Sequence, residues 1–297
     1  MLGSQRDPMS VGGFFYLLIA TLSYGALQAV DKVVLNAKVD PVAYTISRVI
    51  ISMLFLGILV LVRNRRSFIS VFKPVHWKDL FIIGVLASGI GLLFQMIGLS
   101  YTTATNMSII LAFTAPLTTL FAFFILKERI SQKFIAASLL MLLGVLLIFT
   151  KNPVNGFGLG DILIVIAIIG YAYSNVYAKK TMGKLPTSTV TLGRLFFGSL
   201  SLALLFPFLG FSFSSLLKAP FLVVLGGAIF GIRMLAYYKG IEIEGASTAA
   251  TFLLFSPVVT VGLAASYLNE SLTTTIILGM MLVIIGGLLL TKAKPAI

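Results

Sequence analysis

Four ionisable residues sit where lipid makes charge costly. Arg48, Arg194 and Arg233 each fall inside a long apolar run, and Asp31 lies towards the end of another. A charged side chain at the bilayer centre costs ~2.5–3.5 kcal/mol on insertion scales, so such residues face protein or water and mark candidate pathways. Guanidinium groups offer paired N–H donors to carboxylates and other oxyanions, which is recognition chemistry rather than bond making. Arg48 comes about six residues into its run, roughly 9 Å at 1.5 Å per residue, deep for a loop charge yet shallow enough to snorkel. Arg48 and Arg194 could each bond helix-end carbonyls or an acidic neighbour and hold the structure together, or contact a solute. Asp31 could carry a coupling proton, or pair with Lys32 or a nearby arginine.

Uncharged polar residues share faces with these charges. Tyr24, Gln28 and Asp31 follow one helical stripe at i, i+4 and i+7, and Arg233 and Tyr237 stand four apart. Tyr171, Ser174, Asn175 and Ala178 share one face of another run, with Tyr173, Tyr177 and Lys180 on a second. Gln95 and Asn106 add further donors and acceptors. Any one tyrosine is explained by packing or an interfacial belt. Together in lipid they need hydrogen-bond partners, which argues for a cavity.

Other chemistries lack their residues. There is no Cys, so no disulfide, thiolate metal site or cysteine nucleophile. The single His76 sits in a polar stretch, no two-histidine metal site can form, and no phosphate-binding G-x-x-x-x-G-K-[ST] loop occurs. The expectation is a non-enzyme with no cofactor and no metal.

The elements that must position these side chains follow from composition. Of 297 residues 59% are hydrophobic and only 10% charged, with a mean hydropathy of +1.07. Soluble domains carry about a quarter charged residues, so this is a membrane chain. Runs of ~20 apolar residues make spanning helices; barrel strands would be ~10 residues and alternating. Ten helices are predicted, over 14–36, 42–62, 79–99, 103–126, 132–150, 159–180, 187–209, 219–240, 246–268 and 273–292. Ser131 and Ser271 are placed to cap the fifth and tenth.

An even number of spans leaves both termini on one side, where fifteen Lys and Arg gather against four opposite. That bias predicts cytoplasmic termini. Most of the net charge of +13 is then an orientation signal facing anionic lipid, and nucleic acid is not needed as a partner. Met1–Gly13 does not read as a cleavable signal, since Asp7 and Pro8 interrupt it.

The halves repeat. Gly98 and Gly240, Ala104 and Ala246, Glu128 and Glu270, and Gly144 and Gly286 all stand 142 apart. Tyr24 and Tyr171 are 147 apart, Arg48 and Arg194 146, and Pro116 and Pro257 141. Five is an odd number of spans, so the second copy enters the membrane upside down, as in many secondary transporters. Predicted organisation is a leader (1–13), a first five-helix repeat (14–150), an external linker (151–158), a second repeat (159–292) and a tail (293–297). Arg233 breaks the symmetry, because Gly91 aligns with it.

Pro116 and Pro257 free the carbonyls of Ala112 and Leu253, which makes both prolines candidate hinges. Glu128 and Glu270 end matching helices on opposite faces. They either contact caps and neighbouring basic residues or gate the pathway by bridging to the other repeat. Gly227 and Gly231, and Gly84 and Ser88, are spaced for close helix contact.

The chain resembles the drug/metabolite transporter superfamily, in its ten-span EamA-type branch. The residues carrying the resemblance are Ser23-Tyr24-Gly25 with Asp31-Lys32, Arg48, and Ala104, Pro116 and Lys127-Glu128-Arg129, echoed by Ala246, Pro257 and Asn269-Glu270. Tyr24 departs from the tryptophan common there. The resemblance implies an all-α membrane protein that exports or exchanges amino acids and other small metabolites. Three cavity cations against one acid favour a carboxylate-bearing solute, an amino acid or similar metabolite. Candidate binding residues are Tyr24, Gln28, Asp31, Arg48, Gln95, Asn106, Tyr171, Asn175, Arg194, Arg233 and Tyr237. Protons are the candidate coupling ion beside solute exchange, and a homo-oligomer stays open. The alternatives are an exporter of cationic lipophiles, which wants a buried mid-span carboxylate, and a non-transporting scaffold.

Overall fold

The computed structural model describes residues 9–102, 107, 110–149, 158–208, 210–268 and 274–291. Asn106 and Glu270 of the candidate site lie outside the described residues, as do Ala104, Asn269, Ser271 and most of the 151–158 linker. The described chain is helical throughout, with no sheet among the described residues. Six helices are long and apolar enough to cross a membrane, and four shorter apolar helices complete ten spans. Large apolar side chains on their outward faces, such as Leu54, Ile58, Phe124, Leu143 and Leu288, are exposed where lipid would cover them.

Local chemistry sets the helix starts. Ser10 accepts from the Gly13 N–H at the head of the first span, Val11–Asn36. A tight turn with Lys38 in the left-handed region follows. Asp40 then accepts from the Val42 and Ala43 amides, both at 2.9 Å, and Pro41 opens the second span, Pro41–Arg63. Ser131 accepts from the Phe134 amide and caps the fifth, Gln132–Phe149. The stretch read as a connection after Arg63 is partly helical, over Arg65–Val71, and the third span starts at Pro74 rather than at 79. Pro74 explains the earlier start: its fixed φ and missing N–H suit the first turn of a helix.

The second half comprises Leu159–Met182, Thr187–Leu205, Pro220–Glu244, a broken ninth span and Thr274–Thr291. Its packing mirrors the first half's. The first span lies along the eighth as the sixth lies along the third. The second packs on the eighth as the seventh packs on the third, and the fifth and tenth pack mainly on each other. The same glycines close matching crossings. A Cβ on Gly98 would meet the Gly160 carbonyl at 2.7 Å and Ile164, whereas one on Gly240 would meet Leu17, the repeat mate of Ile164. A Cβ on Gly144 would meet the Gly279 carbonyl at 2.6 Å, and one on Gly286 the Ala137 carbonyl at 3.0 Å. Two inverted five-helix repeats are therefore related by a pseudo-two-fold axis running between them.

One departure from symmetry has a clear origin. Gly84 faces the Arg194 carbonyl and Phe197, while Gly227 faces the Arg48 carbonyl and Ile51, so these two glycines are mates. Between Gly84 and Gly98 lie thirteen residues; between Gly227 and Gly240 lie twelve. The third span absorbs the extra residue as a π turn over Gly84–Gly89, between Pro74–Ile83 and Ile90–Tyr101. That turn carries Ala87 and Ser88 towards the middle of the bundle.

Both prolines sit just past a helix break. In the fourth span a turn at Phe113 precedes the helix Thr114–Leu126, with Pro116 in its first turn. The ninth runs Ala246–Phe252, tightens into a 3-10 turn at Leu253–Phe255 and resumes at Ser256–Leu268, with Pro257 second in that helix.

Candidate functional site

A cavity of about 1030 Å³ lies between the repeats, and the predicted polar residues converge on it. Of the eleven candidate binding residues, ten line this one space: Tyr24, Gln28 and Asp31 from the first span, Arg48 from the second, Gln95 from the third, Tyr171 and Asn175 from the sixth, Arg194 from the seventh, and Arg233 and Tyr237 from the eighth. Asn106 is the eleventh. Pro257 lines the cavity and is buried, whereas Pro116 is exposed on the outside of the bundle.

The three arginines are held differently. Arg48 is 2% exposed and gives its Nη1 to both Asp31 oxygens, at 3.0 and 2.8 Å. The Tyr44 hydroxyl donates to the same carboxylate at 2.6 Å, and the guanidinium packs near the Tyr44 and Phe230 rings. Asp31 therefore pairs with an arginine one helix away. Tyr44 escaped the sequence reading, although its place four residues before Arg48 put both on one face.

Arg194 has no such acid, because Ala178 stands where the repeat would put the mate of Asp31. Its Nε donates to Ser88 on the π turn at 2.8 Å, and Nη1 donates to the Tyr238 hydroxyl at 3.0 Å. Arg233 lies with its guanidinium carbon 3.8 Å from the Tyr24 ring centroid, and its buried Nε has no hydrogen-bond partner among the described residues. Gly91, its mate, leaves room for the Tyr171 ring. Tyr171 is thereby free to donate to Gln95 at 2.7 Å, while at the matching place Asn175 donates to Tyr237 at 3.1 Å. Gln28 accepts from Thr260 at 3.2 Å. Phe230 and Thr260 complete the wall, while Ser88 and Tyr238 hold Arg194 from behind it, and a single-sequence reading had no means of ranking these four above other intramembrane residues.

The cavity is asymmetric along the bundle. From Tyr24, Asn175 and Tyr237 its lining continues to Asn36, Leu99 and Leu222 at the helix ends remote from the chain's termini. A second hollow of about 530 Å³ at that end shares Leu35, Met96 and Leu99 with it. The opposite end is tied shut by polar contacts. Ser10 donates its hydroxyl and amide to Glu244 at 2.6 and 3.0 Å, Tyr177 donates to Asp79, and Lys179 donates to the Glu242 carbonyl.

Glu128 belongs to this closed end. The fourth span finishes with Lys127 in the left-handed region, and the Glu128 amide returns to the Ala122 carbonyl at 3.3 Å. That turn aims the carboxylate across to the other repeat. There it accepts from the Ala246 amide at 3.2 Å and the Ser247 hydroxyl at 2.5 Å, capping the ninth span. Gly245, at φ 90°, makes the reverse bend that presents this helix start, and the Glu128 carboxylate fills the place where a side chain would stand. Glu128 thus caps a helix of the other repeat and bridges the two repeats at the closed end, and among the described residues no Lys or Arg pairs with it.

A cationic chamber between two inverted repeats is the ground plan of a membrane transporter, and sequence comparison decides which kind. A sequence model of the EamA-like transporter family matches residues 11–150 and again 158–292, one match per repeat. The chain belongs to the EamA-like transporter family. As a family member it is a multi-pass membrane protein that takes a small-molecule substrate. An uncharacterized transporter of Clostridium kluyveri is 25% identical over 291 residues, covering 93% of this chain and 92% of its own. One of Archaeoglobus fulgidus is 27% identical over 231 residues, 75% and 81% of the two chains. The uncharacterized transporter YetK of Bacillus subtilis is 29% identical over 239 residues, 75% and 71%. A solved crystal structure superposes with a TM-score of 0.75 at 17% identity, over 93% of this chain and 96% of that one, which shows a shared fold.

Proposed function

We propose that this protein is a secondary transporter that exports a small polar organic metabolite bearing a carboxylate, of the amino-acid type or similar, across the cytoplasmic membrane by alternating access. The observation that carries the reading is the convergence of arginines from three helices and both repeats on one cavity open towards one end of the bundle. The excess of basic residues beside the termini supports a cytoplasmic position for the closed end, so the conformation described faces outward.

In this reading the ten lining residues, with Asn106, bind the solute. Asp31 is the carboxylate through which protons would couple. The breaks before Pro116 and Pro257 act as hinges, and Glu128 acts as a gate on the closed side, with Glu270 its counterpart in the sequence repeat. The two inverted repeats, 14–150 and 159–292, rock against each other. An exporter of cationic lipophiles is less well supported, because Asp31 is already engaged by Arg48 and Tyr44.

The test is counterflow in sealed liposomes. Purified protein is expected to take up a labelled solute faster when the same solute is trapped inside, with saturation in the external concentration. Uptake no greater than in protein-free liposomes for every amino acid, organic acid and nucleotide tried would overturn the reading.

A further inference from the structure

The charges around the cavity do not balance, and the imbalance bears on the cargo. Its lining holds three arginines and one carboxylate, Asp31. That carboxylate is spent on Arg48 and Tyr44. Every other described carboxylate is committed away from the cavity. Asp40 caps the second span, Asp79 accepts from Tyr177, and Glu128 caps the ninth. Asp161 binds Thr102 and the Gly158 amide, Glu242 pairs with Lys239, and Glu244 binds Ser10. Arg194 and Arg233 therefore share the chamber with two positive charges and no acid among the described residues to neutralise them.

A guanidinium withdrawn from bulk water needs a counter-charge, and one not built into the protein must come with the ligand. Both surplus cations arise from breaks in the repeat. Ala178 replaces a second aspartate beside Arg194, and Arg233 stands where symmetry gives Gly91. The groups are also near enough to act together. Arg48 and Arg233 flank one ring, Phe230, at 5.1 and 5.8 Å, and Arg194 lines the same cavity. The buried Nε of Arg233 is a donor still without an acceptor.

We propose that the cavity selects an organic dianion, a dicarboxylate or phosphomonoester, over monoanions and zwitterions. The proposal rests on the transport reading above and moves its cargo from the amino-acid type to a doubly charged anion. An ordinary amino acid fits poorly because its ammonium would find no free carboxylate, only amides and hydroxyls beside two cations. A phosphomonoester is largely doubly charged above pH 7 and presents three acceptor oxygens. The aromatic rings of Tyr24, Tyr171 and Phe230 would pack its carbon skeleton.

The experiment titrates full-length protein in nanodiscs, in chloride-free buffer at pH 7.5, with ligand pairs that differ by one charge. Succinate is set against succinamate, adipate against its monoamide, and glycerol 3-phosphate against its methyl ester, with alanine and aspartate as zwitterions. In at least one pair the dianion is expected to bind tenfold or more tightly than its partner. Arg194→Gln and Arg233→Gln should each bring that preference below about threefold, and Arg233→Lys should keep most of it. Equal binding within every pair, tighter zwitterion binding, no dianion binding at all, or a preference that survives both Gln variants would each overturn the proposal. Should a Gln variant fail to fold by its thermal midpoint, the Lys variant and the wild-type pairs still decide. Counterflow with the best ligand separates the two claims. A preferred dianion that binds but does not cross sinks transport and spares selectivity, whereas transported alanine without dianion preference does the reverse.

Discussion

Removing Asp31 should cost much of the protein's stability, and most of that cost should be recovered when Arg48 is removed with it. Arg48 is 2% exposed and its Nε has no hydrogen-bond partner among the described residues, so both Asp31 contacts fall on Nη1. Breaking a buried ion pair by deleting one partner costs ~3–5 kcal/mol because the other charge is left uncompensated. The Asp31 side chain is 18% exposed to the cavity, where water can partly replace it, so the low end of that range, about 3 kcal/mol, is expected for Asp31→Ala. An apolar replacement of both residues, Asp31→Leu with Arg48→Met, should recover most of that loss and fall about 1 kcal/mol below wild type, because no orphaned charge remains and only the buried Tyr44 hydroxyl loses its acceptor. The assay is reversible unfolding in mixed micelles, completed by Asp31→Leu alone and Arg48→Met alone to close a double-mutant cycle. A loss below about 1 kcal/mol for Asp31→Ala, or a double variant as unstable as that single one, would refute the claim that this pair is structural as well as cavity-lining.

Three further outcomes follow from the packing. Gly144→Leu and Gly286→Leu should each destabilise by about 1–3 kcal/mol or more in the same unfolding assay, since each new Cβ meets a backbone carbonyl that cannot rotate away. A neutral result for either would contradict the close crossing of the fifth and tenth spans. Glu128→Ala should leave the Ala246 amide and Ser247 hydroxyl without their acceptor, at about 2 kcal/mol, and raise hydrogen exchange at Ala246–Thr248 by roughly 30-fold. Gly245→Val should be worse tolerated than Gly231→Ala, because only the former forces a branched side chain to positive φ beside a carboxylate; matching thermal midpoints would speak against it.

Much of the architecture was legible because lipid imposes a strong rule. Runs of ~20 apolar residues, a charge bias between loops and an odd-span repeat leave few topologies. The polar residues of the cavity were legible for the same reason, since Arg194 or Asn175 in lipid demands an explanation that a surface residue does not. Partners were not. Sequence offered Asp31 both Lys32 and a nearby arginine, and only the packing of neighbouring helices chose Arg48. The π turn at Gly84–Gly89 leaves one surplus residue in the third span, which sequence alone cannot distinguish from a change in a loop. Pro116 and Pro257 looked alike, yet one faces outward and one lines the cavity, because the pseudo-symmetry is imperfect where one end is open and the other closed. The direction in which Glu128 points depended on the left-handed turn at Lys127, which a lysine gives no reason to expect.

Alternating access in this protein depends on polar residues from both repeats sharing one water-filled chamber. The chain contains no cysteine, so single cysteines can be read against no background. Gln28→Cys, Gln95→Cys, Asn175→Cys and Thr260→Cys would be treated from the outer face with a membrane-impermeant, negatively charged thiol reagent, beside Phe124→Cys on the lipid-facing surface. All four cavity positions should react, Phe124→Cys should not, and a bound solute should slow all four together. Failure of the four to react, or protection of some by solute while others stay indifferent, would contradict a single shared chamber.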